Sequence, residues 1–121
     1  MKSQRLDKFL SSQTVYTRTD ISKLLWKRKV SVNGKTVRDG EFKINPDLDR
    51  IEVSGREIKY RENMYIVRNK PAGYVCATED KNDPTVIGLI PEELRRKDLF
   101  PAGRLDKDSE GMVLITDDGT L

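Results

Sequence analysis

Val30-Ser31-Val32-Asn33-Gly34-Lys35-Thr36-Val37 alternates apolar and polar residues around an Asn-Gly pair. Alternation marks a strand with one buried face, and Asn-Gly supplies the two positive-φ positions of a tight hairpin turn. The run therefore predicts a β-hairpin. The residues before it read as helical. Leu6, Phe9 and Leu10 fall at i, i+3 and i+4, a short amphipathic helix. Thr17 and Asp20 then fit a capping-box-like start, with an acidic residue placed to complement the helix dipole. Ile21, Leu24 and Leu25 form the buried stripe of this second helix, leaving Arg18, Lys23, Lys27, Arg28 and Lys29 for its other faces. A third strand is predicted at Arg50-Ile51-Glu52-Val53, after a turn at Pro46-Asp47-Leu48-Asp49.

The cations are unevenly placed. Residues 1–38 carry ten Lys/Arg against two Asp/Glu, whereas residues 39–121 carry thirteen against eighteen. A net charge of +3 thus hides a compact basic segment on an otherwise acidic chain. Such a segment points to a polyanion, most simply a nucleic acid. Trp26 lies within it and is expected to pack as a partly buried residue, with a base-stacking platform as the alternative.

The composition removes several classes of chemistry. The chain has no histidine and one cysteine, Cys76, so an internal disulfide, common zinc sites and Ser-His or Cys-His catalysis are unavailable. Cys76 lies in an apolar stretch and is expected to pack as a small hydrophobe. No apolar run approaches the ~18 residues of a membrane helix, and no apolar signal region opens the chain. These readings predict a cytoplasmic protein with no membrane partner. Catalysis, if present, falls to carboxylates, lysines, arginines or tyrosines.

The second half reads as mostly β. Ser54 to Asn63 is polar and reads as a linker, with a short strand at Glu57–Tyr60. Strands are predicted at Met64–Asn69, Tyr74–Thr78 and Gly111–Thr116, with turns at Lys70–Gly73 and Asp117–Gly119. Asp83–Ile90 reads as a short helical turn, and Pro91 starts another piece. Just ahead of the last strand stand Arg104 and Asp106, two residues apart. On extended backbone their side chains share a face, and a neighbouring cation keeps a carboxylate ionised. Such a carboxylate can act as a base or a nucleophile. The plain alternative is a surface ion pair beside a hairpin.

The longer pattern separates these readings. Gly103-Arg104-Leu105-Asp106-x-Asp108-Ser109-x-Gly111-x-x-Leu114-Ile115-Thr116-Asp117-Asp118-Gly119 resembles the active-site motif of the Rsu-type ribosomal pseudouridine synthases. Asn69-Lys70-Pro71-Ala72-Gly73-Tyr74-Val75 resembles the first motif of the same family. The resemblance implies isomerisation of uridine to pseudouridine in ribosomal RNA, most simply 16S rRNA of the small subunit, without metal or cofactor. It implies that Asp106 is the catalytic carboxylate, and that Arg104 and Lys70 stand near the RNA at the active site. It also implies a catalytic domain continuing beyond Leu121, so that this chain alone is expected to be inactive, with an unfinished, exposed-edge hairpin at Gly111–Thr116. Tyr74 is expected to pack rather than to serve catalysis.

The N-terminal helix–helix–hairpin order is similar to the S4-like (αL) RNA-binding domain. The matching residues are Arg5-Leu6-Asp7-Lys8, Thr17-Arg18, Val30-x-Val32-Asn33-Gly34 and Asp49-x-Ile51-x-Val53. The resemblance implies RNA-facing roles for Arg5, Lys8, Arg18, Lys23, Lys27 and Lys35. One departure stands out: Arg28 occupies a position that is often glycine in that family. If this position is left-handed, arginine there costs about 1 kcal/mol relative to glycine.

The expected fold is α+β, with an RNA-binding domain at residues 1–59 and the first part of a synthase domain at 60–121. The expected partner is ribosomal RNA or a ribosomal assembly intermediate. A non-catalytic RNA-binding module is the competing reading. A glycosidase lacks a convincing second carboxylate motif.

Overall fold

A computed structural model describes residues 3–120. The chain divides into two compact units, Met1–Arg61 and Glu62–Leu121. Both mix helical and extended segments, an α+β fold.

In the first unit, strand β1 (Gln4–Arg5) leads directly into helix α1 (Leu6–Gln13), and helix α2 (Arg18–Trp26) follows. Thr17 and Asp20 form the full reciprocal capping box: each side chain accepts from the other's backbone N–H. That satisfies two of the four orphan donors at a helix start. Helix α2 ends in a Schellman motif. Lys29 N donates to Leu24 O (2.9 Å) and Arg28 N to Leu25 O (3.1 Å), with Arg28 at φ 58°.

Strands β2 (Val30–Val32), β3 (Lys35–Thr36), β5 (Ile51–Val53) and β6 (Arg56–Ile58) form one antiparallel sheet in the order β3-β2-β5-β6. Strand β4 (Lys43–Ile44) pairs instead with β1. Asn33 and Gly34 both take positive φ (52° and 84°), as the hairpin between β2 and β3 requires. Ser54 and Gly55 repeat the device (51° and 82°) between β5 and β6. The segment from Ser54, expected as a linker with a short strand at Glu57–Tyr60, instead carries its strand at Arg56–Ile58 as part of the sheet. It turns back into the sheet and buries Ile58. Leu6, Phe9 and Leu10 of α1, Ile21 and Leu25 of α2, and Val30, Val32, Ile51 and Val53 of the sheet make one core. Each such side chain contributes about 2 kcal/mol by leaving water.

In the second unit, β7 (Tyr65–Lys70), β8 (Phe100–Pro101) and β9 (Gly111–Thr116) form an antiparallel sheet in the order β7-β9-β8. Strand β9 is thus the central strand, paired over six residues with β7 and through Thr116 and Ile115 with β8. This corrects the expectation of an exposed-edge hairpin: Phe100 and Pro101, which read only as a lead into the motif, take up its second side. Tyr74–Thr78, expected as a strand, makes a single parallel bridge, Val75 to Thr85, and is otherwise irregular. Two short 3-10 helices, Val86–Leu89 and Glu92–Leu94, close one side. Met64, Val86, Ile90, Leu99, Val113 and Ile115 form the core, with Cys76 and Leu105 packed at its margin. Arg96 and Asp117 form a buried ion pair at 3.3 Å beneath the turn after β9.

Candidate functional site

The second unit displays Asp106 by anchoring the chain on both sides of it. Leu105 packs its side chain against the core, and its N–H donates to Cys76 Sγ at 3.4 Å. A Cβ on Gly111 would stand 3.3 Å from Leu105 Cδ1, and Gly111 also has φ +151°, so glycine lets Leu105 settle there. Ser109 N donates to Asp106 O (3.0 Å), turning the chain just after the aspartate. Lys107 Nζ pairs with Asp83 at 2.8 Å, and this hydrogen bond holds the Lys107 ammonium above the usual lysine pKa. Between these anchors the Asp106 carboxylate is exposed.

Lys70 is the hub of this arrangement. It is the last residue of β7 and is 0% exposed. Its ammonium donates to Pro71 O (3.1 Å), Lys107 O (2.8 Å) and Ser109 O (2.6 Å). An ammonium has three donors, and all are spent. Gly73 N reinforces the clamp by donating to Lys107 O at 2.8 Å. Lys70 was expected to stand near the RNA. The geometry corrects this: a buried cation with its donors used holds the Asp106 loop in place and presents nothing to a ligand.

Arg104 is exposed. Among the described residues no ion pair joins it to Asp106, so the plain alternative, a surface ion pair between the two, is not formed. Both side chains are left open to a ligand. Tyr74 packs at the margin of the core.

The first unit holds a groove of about 1060 Å³ between the start of α1, α2 and the 38–41 loop. Arg5, Lys8, Arg18, Trp26 and Arg38 stand on its walls, with Ile21 and Leu25 behind them. Arg5 is bound to Asp7 through both carboxylate oxygens (3.1 and 2.8 Å) and lies 3.6 Å from Glu41. Those partners, the Asp7 hydrogen bond first, raise its pKa above the usual arginine value. Lys23, Lys27 and Lys35 are exposed on the same unit but do not line the groove.

One groove residue, Arg38, lies just past the predicted hairpin, where the sequence pattern assigns it no role. Trp26 was expected to be partly buried but is 73% exposed, with the Arg38 guanidinium 5.0 Å from its ring centroid. Its position at the last turn of α2, outside the Ile21–Leu24–Leu25 stripe, was the available signal. Among the described residues, no three His, Cys, Asp or Glu side chains gather as a metal site. Nor is any helix among the described residues long and apolar enough to cross a membrane.

Along the chain, a basic helical unit with an open groove is followed by a sheet that displays an anchored, exposed aspartate, the make-up of a protein with a polyanion-binding face and a carboxylate site. Known proteins narrow the class. Residues 4–49 match the S4 domain, and residues 64–121 match the family described as RNA pseudouridylate synthase. The chain belongs to the RNA pseudouridine synthases that carry an S4 domain. It is 40% identical to the uncharacterized RNA pseudouridine synthase YtzG of Bacillus subtilis, over 97% of this chain and 49% of that protein. It is 41% identical to ribosomal small subunit pseudouridine synthase A of Yersinia pestis, over 95% of this chain and 48% of that protein. The Escherichia coli protein of the same name is 40% identical, over 95% and 49%. The chain spans about half the length of the curated relatives it matches.

Proposed function

We propose that this chain is part of an enzyme that isomerises uridine to pseudouridine in ribosomal RNA, with small-subunit 16S rRNA as substrate. The observation that carries the reading is the exposed Asp106 carboxylate, held on a loop pinned by Lys70 and Leu105. The names of the Yersinia and Escherichia relatives support the small subunit.

In this isomerisation the N1–C1′ bond of uridine breaks, the base turns, and a C5–C1′ bond forms. The proton lost from C5 is balanced by one gained at N1. The atoms of substrate and product are the same, so the step needs no net oxidant or reductant. A carboxylate beside the ribose can attack the anomeric carbon or remove a ribose proton, and both roles need it ionised and reachable. The target base must leave its stack to reach that carboxylate. Arg104, exposed two residues from Asp106, holds the flanking RNA. The first unit supplies Arg5, Lys8, Arg18, Lys23, Lys27 and Lys35 for phosphate contacts, on free rRNA or on a ribosomal assembly intermediate in the cytoplasm.

The test replaces the chromosomal gene by one encoding Asp106→Asn and maps pseudouridine chemically in the rRNA. Asparagine keeps the shape and removes the charge. One small-subunit pseudouridine disappears, while the purified variant still binds rRNA. Modification at wild-type level would show that Asp106 is structural.

A further inference from the structure

We propose that Trp26 and Arg38 form a stacking site for one unpaired RNA base at the rim of the groove in the first unit. The inference rests on the reading of this unit as RNA-binding, and adds which state of the RNA it selects.

Trp26 ends α2 and is 73% exposed with Arg38 over one face of the ring. An indole covered on both faces could not keep that exposure, so the second face is open. Leaving so large an apolar ring in water forgoes the burial that tryptophan ordinarily gains. Arg38, at 5.0 Å from the centroid, lies within cation–π range and restrains the ring.

The surroundings choose the ligand. The groove beside the ring also presents Lys8 and Arg18. Two of its acids, Asp7 and Glu41, are taken up by Arg5, whereas Lys8 and Arg18 have no ion-pair partner among the described residues. Asp39 turns its carboxylate to the Glu41 N–H at 2.9 Å. An open aromatic face next to uncommitted cations fits a flat base carried on a phosphate chain. A paired base within a helix has both faces stacked on its neighbours. Apart from the outermost pair of a duplex end, a looped-out or single-stranded nucleotide is what offers a face to Trp26.

Trp26 is the only tryptophan in the chain, so its fluorescence reports directly on the site. The 121-residue chain is titrated with an oligouridine, which has little structure of its own, and with a blunt RNA duplex of equal length. The oligouridine quenches the indole emission at saturation and the duplex leaves it nearly unchanged. Trp26→Leu weakens oligouridine binding about tenfold, the scale of one lost stacking contact, while duplex affinity and the salt dependence stay as in wild type. Trp26→Phe retains most of the affinity, and Arg38→Met loses about threefold. A melting curve for each variant establishes that it is folded. If the wild type binds both RNAs with salt-dependent affinity but Trp26→Leu binds them equally well, the stacking site is overturned and RNA binding stands. If the wild type binds neither RNA, both are overturned.

Discussion

The ammonium of Lys70 lies 2.8 Å from the carbonyl oxygen of Lys107, thirty-seven residues along the chain and next to Asp106. With Pro71 O and Ser109 O as its other acceptors, this one side chain closes the loop from beneath. Hydrogen bonds to a charged group are among the stronger ones, and the carbonyls left by truncation are partly buried. Lys70→Met is therefore expected to destabilise the second unit by about 2–4 kcal/mol. The amides of Gly73 and Ser109 should exchange faster with solvent, because the carbonyls around them lose their anchor. RNA affinity should stay within about twofold of wild type, since phosphate contacts need exposed cations. Weakened RNA binding with unchanged exchange would instead put the Lys70 ammonium on the RNA.

Both units were legible where short-range patterns decide the structure. The Asn33-Gly34 turn, the Thr17–Asp20 box and the Leu6–Phe9–Leu10 stripe depend on neighbours within a few residues. Other features depend on distant partners. Ser54-Gly55 is a weaker hairpin signal than Asn33-Gly34, because serine enters the left-handed region less readily than asparagine, and the strand after it, Arg56–Ile58, offers one buried apolar residue. So short an alternation marks a strand near Glu57 but does not show that it pairs back into the sheet. The central place of β9 depends on two residues, Phe100 and Pro101, and proline is a poor strand signal. The role of Lys70 was the hardest to read. Lysine is almost always exposed, and only the fold brings three carbonyl oxygens to its ammonium. Asp106 and Arg104 stand exposed, and no ion pair joins them among the described residues.

Arg28 has φ 58° at the C′ position of α2, where most helices that end this way carry glycine. A side chain in this left-handed conformation crowds its own carbonyl and costs about 1 kcal/mol. Arg28→Gly should relieve the strain but also widen the unfolded ensemble, so the net gain is up to about 1 kcal/mol. Arg28→Asn should fall between, and Arg28→Val should lose stability, because β-branching makes the conformation worse. Urea midpoints followed by Trp26 fluorescence, with unchanged slope, give the ranking. A loss of stability in Arg28→Gly would mean that the arginine side chain makes a contact worth more than its strain.

Asp49 ties the β4–β5 turn to the β2–β3 hairpin. Its carboxylate accepts Asn45 N–H at 2.7 Å and the Asn33 side-chain amide at 3.1 Å, while Asn33 Oδ1 accepts Arg50 N–H at 2.8 Å. The Asn45 hydrogen bond, then that from Asn33, lowers the Asp49 pKa below the usual aspartate value of 3.8. A folded-state pKa below the unfolded one means that the unfolded chain binds the proton more readily. The stabilisation is complete above the unfolded value and is lost as pH falls through the folded value. Asp49→Asn keeps a side-chain acceptor and does not titrate. Wild type should therefore exceed Asp49→Asn in urea midpoint by a constant amount between about pH 7 and pH 5, and the difference should shrink below about pH 4. Trp26, the only tryptophan in the chain, lies in the first unit and reports its unfolding. Asp80 and Asp118, whose pKa values hydrogen bonds also lower, are the same in both proteins, so their contributions cancel in the difference. A difference that persists unchanged to about pH 2.5 would show that the Asn45 and Asn33 contacts are no stronger with the carboxylate than with the neutral amide.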